Sequence, residues 1–132
     1  MLHEHFGDAD YWAARRSARF ASHLKAISDE FRESHLDSND INDATIVPKN
    51  WESHQPKRGS AKGGPYICAH IRRKDYTYSR KDQIPNLESA AQQLQAKCQE
   101  HNVKTVFVAT DAPESEFKQL KSFLNDIKVK TF

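Results

Sequence analysis

The hydrophobic positions in the first part of the chain follow a helical period. Between residues 8 and 35 the apolar side chains recur at intervals of three, four and seven positions, which places them on one face of a helix. Asp8 or Asp10 is suited to cap the first turn. The run is longer than most helices of globular proteins, so we expect a bend or a break within it. The apolar stripe consists of Ala13, Phe20, Leu24, Ile27 and Phe31.

The middle part of the chain, residues 36–64, has no such period. It is rich in Asp, Asn and Ser, and we expect Trp51 to anchor it on a domain surface. Loops of this length are uncommon inside one compact domain, so the segment predicts either a domain boundary or a functional loop. The residues that interrupt regular structure are Pro48, Pro56, Gly59, Gly63 and Gly64.

The last part of the chain alternates short apolar runs with helical patterns. The apolar runs at 66–71 and 105–109 are nearly continuous, as is typical of strands buried on both faces. The resulting β-α-β-α-β order predicts a parallel sheet with helices on its faces. Because a sheet of three parallel strands is rarely complete, we expect an incomplete α/β unit. The predicted elements are a strand at 66–71, a helix from Asn86 to about His101, a strand at 105–109, a helix from about Pro113 and a strand from Lys128.

Composition and charge narrow the classes of function. The net charge of +2 is too small to indicate a nucleic-acid-binding protein, which usually shows a clear basic stripe. No run approaches the roughly 18 apolar residues that a membrane span needs. Cys68 and Cys98 form neither a CxxC pair nor a zinc pattern, so we expect two small buried residues.

The most distinctive polar stretch is residues 70–75, which begins at the carboxyl end of the first strand. In open α/β sheets, ligands bind outside the carboxyl ends of the strands. Arginine offers a planar fork of donors that matches phosphate oxygens, and His70 can donate to a hydroxyl or a phosphate. Asp75 is suited to hold one arginine in place. The pattern alone is equally compatible with a solvated charge run that contains an internal Arg–Asp pair.

Asp111 follows the second strand in the same way and is therefore expected at the same edge of the sheet. Its carboxylate could accept a hydrogen bond from a ribose, a guanine or a sugar. It could equally cap the next helix, with Pro113 near the first turn, and both roles can hold together. The sequence contains neither a nucleophile–base pair nor a glycine-rich phosphate motif.

Two segments, residues 63–75 and 106–112, closely resemble the GDP-fucose protein O-fucosyltransferases. The His-x-Arg-Arg-x-Asp element at 70–75 is shared with related fucosyltransferases and identifies the superfamily. Flanking segments indicate the protein O-fucosyltransferases, and the resemblance covers nearly the whole chain. These flanking segments are residues 2–7, 11–17, 29–32 and 84–88.

The resemblance implies a GT-B fold, in which two Rossmann-like domains face each other across a cleft. Residues 1–35 would then end the first domain, residues 36–64 would link the domains, and residues 65–132 would begin the GDP-fucose-binding domain. The family moves fucose, with inversion, from GDP-β-L-fucose to Ser or Thr of folded thrombospondin type 1 repeats. It works in the endoplasmic reticulum and needs no metal.

The resemblance also assigns site residues. His70, Ile71, Arg72 and Asp111 would contact GDP-fucose, and Arg72 would act in catalysis by binding the β-phosphate and stabilising the leaving GDP. The general base of the family, a glutamate, is expected outside this chain, so the chain alone is expected to be inactive. Two alternatives remain open: a non-catalytic short form, and a GDP-fucose enzyme that acts on a glycan.

Overall fold

The computed structural model describes residues 7–50, 54, 57–74 and 84–132. Trp51 and Asp75 lie outside these residues. The chain forms two compact units, one of Met1–Ser34 with Ser38–Gly64 and one of His35–Asp37 with Pro65–Phe132. The assignment of these units to the two domains of a GT-B enzyme stays a prediction.

The expected break in the N-terminal helix is confirmed. Helix α1 spans Ala9–Ser17 and helix α2 spans Ser22–Leu36. Asp8 caps α1, because its carboxylate accepts a hydrogen bond from the Tyr11 amide at 2.8 Å. Ala18 has an extended backbone, which ends α1.

Much of the apolar stripe of the N-terminal part is exposed to solvent in the first unit. Phe20 is 87% exposed, and Leu24 and Ile27 of α2 are about half exposed. The period therefore predicted the helix correctly, while the stripe is not buried among the described residues of this unit.

An ionic network ties α2 to the segment that follows it. The Arg32 guanidinium contacts Asp40 at 2.7 Å and Asp43 at 3.0 Å, and it donates to the Ser38 hydroxyl at 3.1 Å. Ser38 and Asp43 are both buried, and their side chains hydrogen-bond to each other at 2.5 Å. The Asp43 carbonyl accepts from the amide of Lys62 at 2.8 Å, which closes the long loop at its base. The described residues between 37 and 66 contain turns but neither a helix nor a strand.

The network predicts a contribution to acid stability. The hydrogen bond from Arg32, assisted by Lys25, lowers the pKa of Asp40 from its ordinary 3.8 to about 2. A lowered folded-state pKa stabilises the fold above the ordinary value, and this stabilisation is lost as the pH falls from 3.8 to about 2. Because a third of the Asp40 side chain is exposed, screening reduces the expected loss to on the order of 1 kcal/mol.

Acid unfolding of the wild-type chain and of Asp40→Asn, followed by circular dichroism, measures this contribution. We expect Asp40→Asn to be less stable at neutral pH and to lose less stability on acidification. Parallel acid profiles for the two proteins would contradict the assignment.

The second unit contains the predicted β-α-β-α-β order. Its elements are β1 (Ile67–Ile71), α3 (Leu87–Glu100), β2 (Thr105–Thr110), α4 (Glu114–Phe123) and β3 (Lys128–Lys130). The three strands are parallel and lie in the order β1-β2-β3. The prediction of an α/β fold with a parallel sheet is therefore confirmed.

The core lies between one face of the sheet and the two helices α3 and α4. Val106 and Val108 of β2 are fully buried, and residues of both helices pack against them. Burial along β1 alternates, with Ile67, Ala69 and Ile71 on the covered face. The core consists of Ala91, Leu94, Cys98, Val106, Val108, Leu120 and Leu124.

The expectation that β1 is buried on both faces is wrong, because both helices pack against the same face of the sheet. His70 and Cys68 lie on the other face and are exposed. The predicted burial of Cys68 is therefore also wrong, whereas Cys98 is buried, as expected.

The two thiols are expected to differ in reactivity. Burial raises the pKa of the Cys98 thiol, so this residue is both inaccessible and poorly ionised. A maleimide or disulfide reagent should therefore modify Cys68 in the native protein and Cys98 only after denaturation. Mass spectrometry of the labelled peptides locates the reaction, and Cys68→Ser should remove native-state labelling. Equal labelling rates for the two thiols would contradict the described packing.

Candidate functional site

The ends of β1 and β2 lie side by side, as the sequence predicts. In the parallel register, His70 pairs with Ala109 and Ile71 pairs with Thr110. The Thr110 hydroxyl donates to the Ile71 carbonyl at 2.6 Å, which links the two strand ends beyond their backbone ladder. The polar residues that follow each strand therefore meet at one edge of the sheet.

A cavity of about 500 Å³ lies at the end of β1. Its walls combine apolar side chains of β1 and α3 with His70, Arg72 and Arg73. The structure thus brings three of the four predicted site residues, His70, Ile71 and Arg72, to one cavity. Asp111 does not line it. The apolar wall consists of Ala69, Ile71, Ile84, Pro85, Leu87, Ala90 and Leu94.

Asp111 holds the turn that follows β1. One oxygen of its carboxylate accepts from the Arg73 amide at 2.5 Å and from the Lys74 amide at a longer 3.4 Å. The alternative in which Asp111 caps the next helix is wrong, because the cap position of α4 is Pro113 and has no side-chain hydrogen bond. Contact between Asp111 and a donor substrate stays a prediction.

The two neighbouring arginines have different surroundings. Arg72 is exposed at the cavity, whereas the Arg73 side chain is only 15% exposed. The Nε atom of Arg73 contacts the Glu116 carboxylate at 2.7 Å, and its Nη1 atom donates to the Pro85 carbonyl at 3.3 Å. The expected pairing of an arginine with Asp75 stays a prediction, because Asp75 lies outside the described residues.

Sequence reasoning missed Glu116 as part of this site. The only available signal was its position in the first turn of α4, where an acidic side chain interacts favourably with the helix dipole. That turn begins close to Asp111, at the same edge of the sheet as Arg73. Helix-start preference alone explains an acidic residue there, however, so the pairing with Arg73 needed the structure.

The arrangement is suited to bind an anion next to an apolar surface. Arg72 supplies a delocalised cation with donors in a planar fork, and His70 adds a further polar group. Among the described residues, Asp111 contacts the backbone of Arg73 and Glu116 contacts its side chain. Within the described ranges, no group of three or more His, Cys, Asp or Glu side chains is placed to hold a metal ion.

The family of this chain follows from its match to a protein-family model. The family model described as GDP-fucose protein O-fucosyltransferase matches residues 2–132. The chain belongs to this family. The resemblance at residues 63–75 and 106–112 is thereby confirmed.

Curated relatives of this chain carry the name GDP-fucose protein O-fucosyltransferase 2. The chain is 42% identical to the Caenorhabditis elegans protein over 125 residues, which are 95% of the chain and 29% of the relative. It is 41% identical to the human protein over 127 residues, which are 96% of the chain and 30% of the relative. It is 46% identical to the Drosophila melanogaster protein over 121 residues, 92% of the chain and 24% of the relative.

The chain thus spans less than a third of the length of these relatives. None of the helices in the described ranges combines the length and the apolar content that crossing a bilayer requires.

Proposed function

We propose that this chain carries the donor-binding edge of an enzyme that transfers fucose from GDP-β-L-fucose to a hydroxyl of a protein. The observation that carries the proposal is the placement of Arg72 and His70 on one cavity at the carboxyl end of β1. Ligands of open α/β sheets bind at such an edge. Membership in the family supports GDP-fucose as the ligand.

Arg72 acts on the leaving group. When the bond between the anomeric carbon and the β-phosphate oxygen breaks, negative charge accumulates on the departing GDP. A guanidinium held beside that oxygen stabilises the charge more strongly in the transition state than in the ground state, and this difference lowers the barrier. Arg73 is unsuited to this role because its guanidinium contacts Glu116 and Pro85.

His70 and Ile71 complete the donor contacts in this proposal. The His70 side chain lies on the face of β1 opposite α3, and a contact between its ring and a hydroxyl or phosphate oxygen of the donor is proposed from there, while Ile71 contributes apolar wall to the cavity. Asp111 supports the site through the backbone of the turn, and a direct contact with the nucleotide is proposed in addition. The general base that activates the acceptor hydroxyl is proposed to be a glutamate outside residues 1–132.

Four finer features are part of the proposal and rest on the resemblance. They are a GT-B fold, inversion at the anomeric carbon, folded thrombospondin type 1 repeats as acceptors, and residence in the endoplasmic reticulum. The name shared by the curated relatives supports the protein acceptor. That the reaction needs no metal stays a prediction.

Transfer of radiolabelled fucose from GDP-fucose tests the proposal. The assay uses the full natural protein that contains this sequence, with a folded thrombospondin type 1 repeat as acceptor. A reduced and unfolded repeat and a free oligosaccharide serve as matched acceptors. Transfer to the folded repeat alone supports the proposal, transfer to the oligosaccharide favours a glycan fucosyltransferase, and GDP binding without transfer favours a non-catalytic role.

A further inference from the structure

The turn after β1 is held by contacts from three other segments. The Arg73 amide donates to Asp111 at the end of β2, at 2.5 Å. The Arg73 side chain contacts Glu116 in α4 at 2.7 Å and the carbonyl of Pro85, which precedes α3, at 3.3 Å. Arg73 thereby joins the turn to the starts of both helices and to the neighbouring strand.

The ion pair between Arg73 and Glu116 is well protected from solvent. The two side chains are 15% and 28% exposed, whereas the pair of Glu114 and Lys118 on the same helix is 73% exposed on both sides. Salt and water screen a partly buried pair less than an exposed one, so the contact at 2.7 Å restrains the turn.

Anchoring both the backbone and the side chain of one residue fixes the direction of its neighbours. The chain enters the turn from Ile71, which is hydrogen-bonded through its carbonyl to Thr110. At Arg73, the backbone amide is hydrogen-bonded to Asp111 and the guanidinium contacts Glu116. Arg72 lies between these two fixed points, so the direction of its Cα–Cβ bond is set by the anchors on either side.

We propose that Arg73, paired with Glu116, is a positioning residue that orients Arg72 toward the cavity at the end of β1. The inference rests on the proposed function, which assigns that cavity to the diphosphate of GDP-fucose. In this proposal, Arg72 stabilises the charge on the departing GDP and the adjacent Arg73 orients Arg72. Misplacing a reacting group by about 1 Å lowers rates by on the order of 100-fold, so a small loss of orientation is measurable.

Glu116 provides the clearest test, because it contacts Arg73 but does not line the cavity. Glu116→Ala removes the side-chain anchor, and we expect GDP affinity and kcat/KM to fall on the order of 10-fold. Glu116→Gln keeps an acceptor for Arg73 without its charge, and a smaller loss of about threefold is expected. Glu114→Ala is the matched control, since Glu114 lies in the same helical turn and its side chain is 73% exposed.

The experiment measures GDP affinity by isothermal titration calorimetry and steady-state fucosyl transfer, using the full natural protein that contains this sequence. Each variant is made in the wild-type background and in an Arg72→Ala background. If Glu116 acts through Arg72, its replacement changes GDP affinity by less than about twofold once Arg72 is gone. Thermal melting of every variant controls for folding.

The outcomes separate this inference from the proposed function. If Glu116→Ala lowers GDP affinity equally in both backgrounds, or in neither, the positioning role is overturned. If Arg72→Ala lowers GDP affinity and transfer while Glu116→Ala has no effect, the proposed function still stands. Absence of GDP binding by the wild-type protein overturns the proposed function and the inference with it. If Glu116→Ala does not fold, Glu116→Gln gives the same comparison, with an effect that must vanish in the Arg72→Ala background.

Discussion

Replacing Arg72 with alanine is expected to lower the rate of fucosyl transfer by on the order of 10²–10³. Arg72 is the exposed arginine at the cavity, and its neighbour Arg73 contacts Glu116 instead. Apart from Arg72 and Arg73, no arginine lines this cavity in the part of the chain that the structure describes. The loss should appear mainly in kcat, because the charge that Arg72 stabilises develops as GDP departs.

Arg72→Lys distinguishes a planar fork from a simple positive charge. Lysine keeps the charge but cannot donate two parallel hydrogen bonds to one phosphate, so we expect it to restore little of the rate. Lys118→Ala is the matched control, because it removes an exposed cation of α4 that does not line the cavity. Activity of Arg72→Lys close to that of the wild type would overturn the proposed role.

Local sequence pattern predicted the elements of the fold because each depends on neighbouring residues. The order of strands and helices follows from the periods of the apolar residues. The predicted cap at Asp8 is confirmed, and Asn86, where the second predicted helix begins, caps α3; each side chain accepts a backbone hydrogen bond from the residue three positions later. The break between α1 and α2 was expected from length alone.

Burial could not be predicted to the same extent. A period tells which residues share a face, but it does not tell whether anything covers that face. Cys68 lies in an apolar run and is nevertheless exposed, because α3 and α4 both pack on the opposite side of the sheet. Phe20 shows the same limit in the N-terminal unit, where it is 87% exposed.

The same distinction between local pattern and tertiary packing applies to the candidate site. Residues at or directly after the end of a strand could be assigned to the edge of the sheet, as His70, Arg72 and Asp111 were. The partners of Arg73 could not, because Asp111 and Glu116 are 38 and 43 positions away from it in the sequence. Such contacts depend on how the strand ends and helix starts meet in space, and a single sequence carries no direct signal of that.

The N-terminal unit contains the second large expected effect, at Arg32. This side chain is 19% exposed and contacts the carboxylates of Asp29, Asp40 and Asp43, of which Asp43 is only 6% exposed. The Ser38 hydroxyl, also buried, contacts the same Asp43 oxygen. Removing Arg32 would leave the buried Asp43 carboxylate without its cation. Removing one partner of a buried ion pair lowers the free energy of unfolding far more than disrupting an exposed pair does.

Arg32→Ala is therefore expected to lower the free energy of unfolding of the N-terminal unit by about 3–5 kcal/mol. Denaturant unfolding followed by far-ultraviolet circular dichroism measures it, with Arg15→Ala as the control for an exposed arginine of α1, expected within about 0.5 kcal/mol of wild type. The double variant Arg32→Met with Asp43→Leu should recover much of the loss, because it removes the stranded charge together with its partner. A loss below about 1 kcal/mol in Arg32→Ala would show that water reaches Asp43 and that the network stabilises this unit no more than a surface ion pair does.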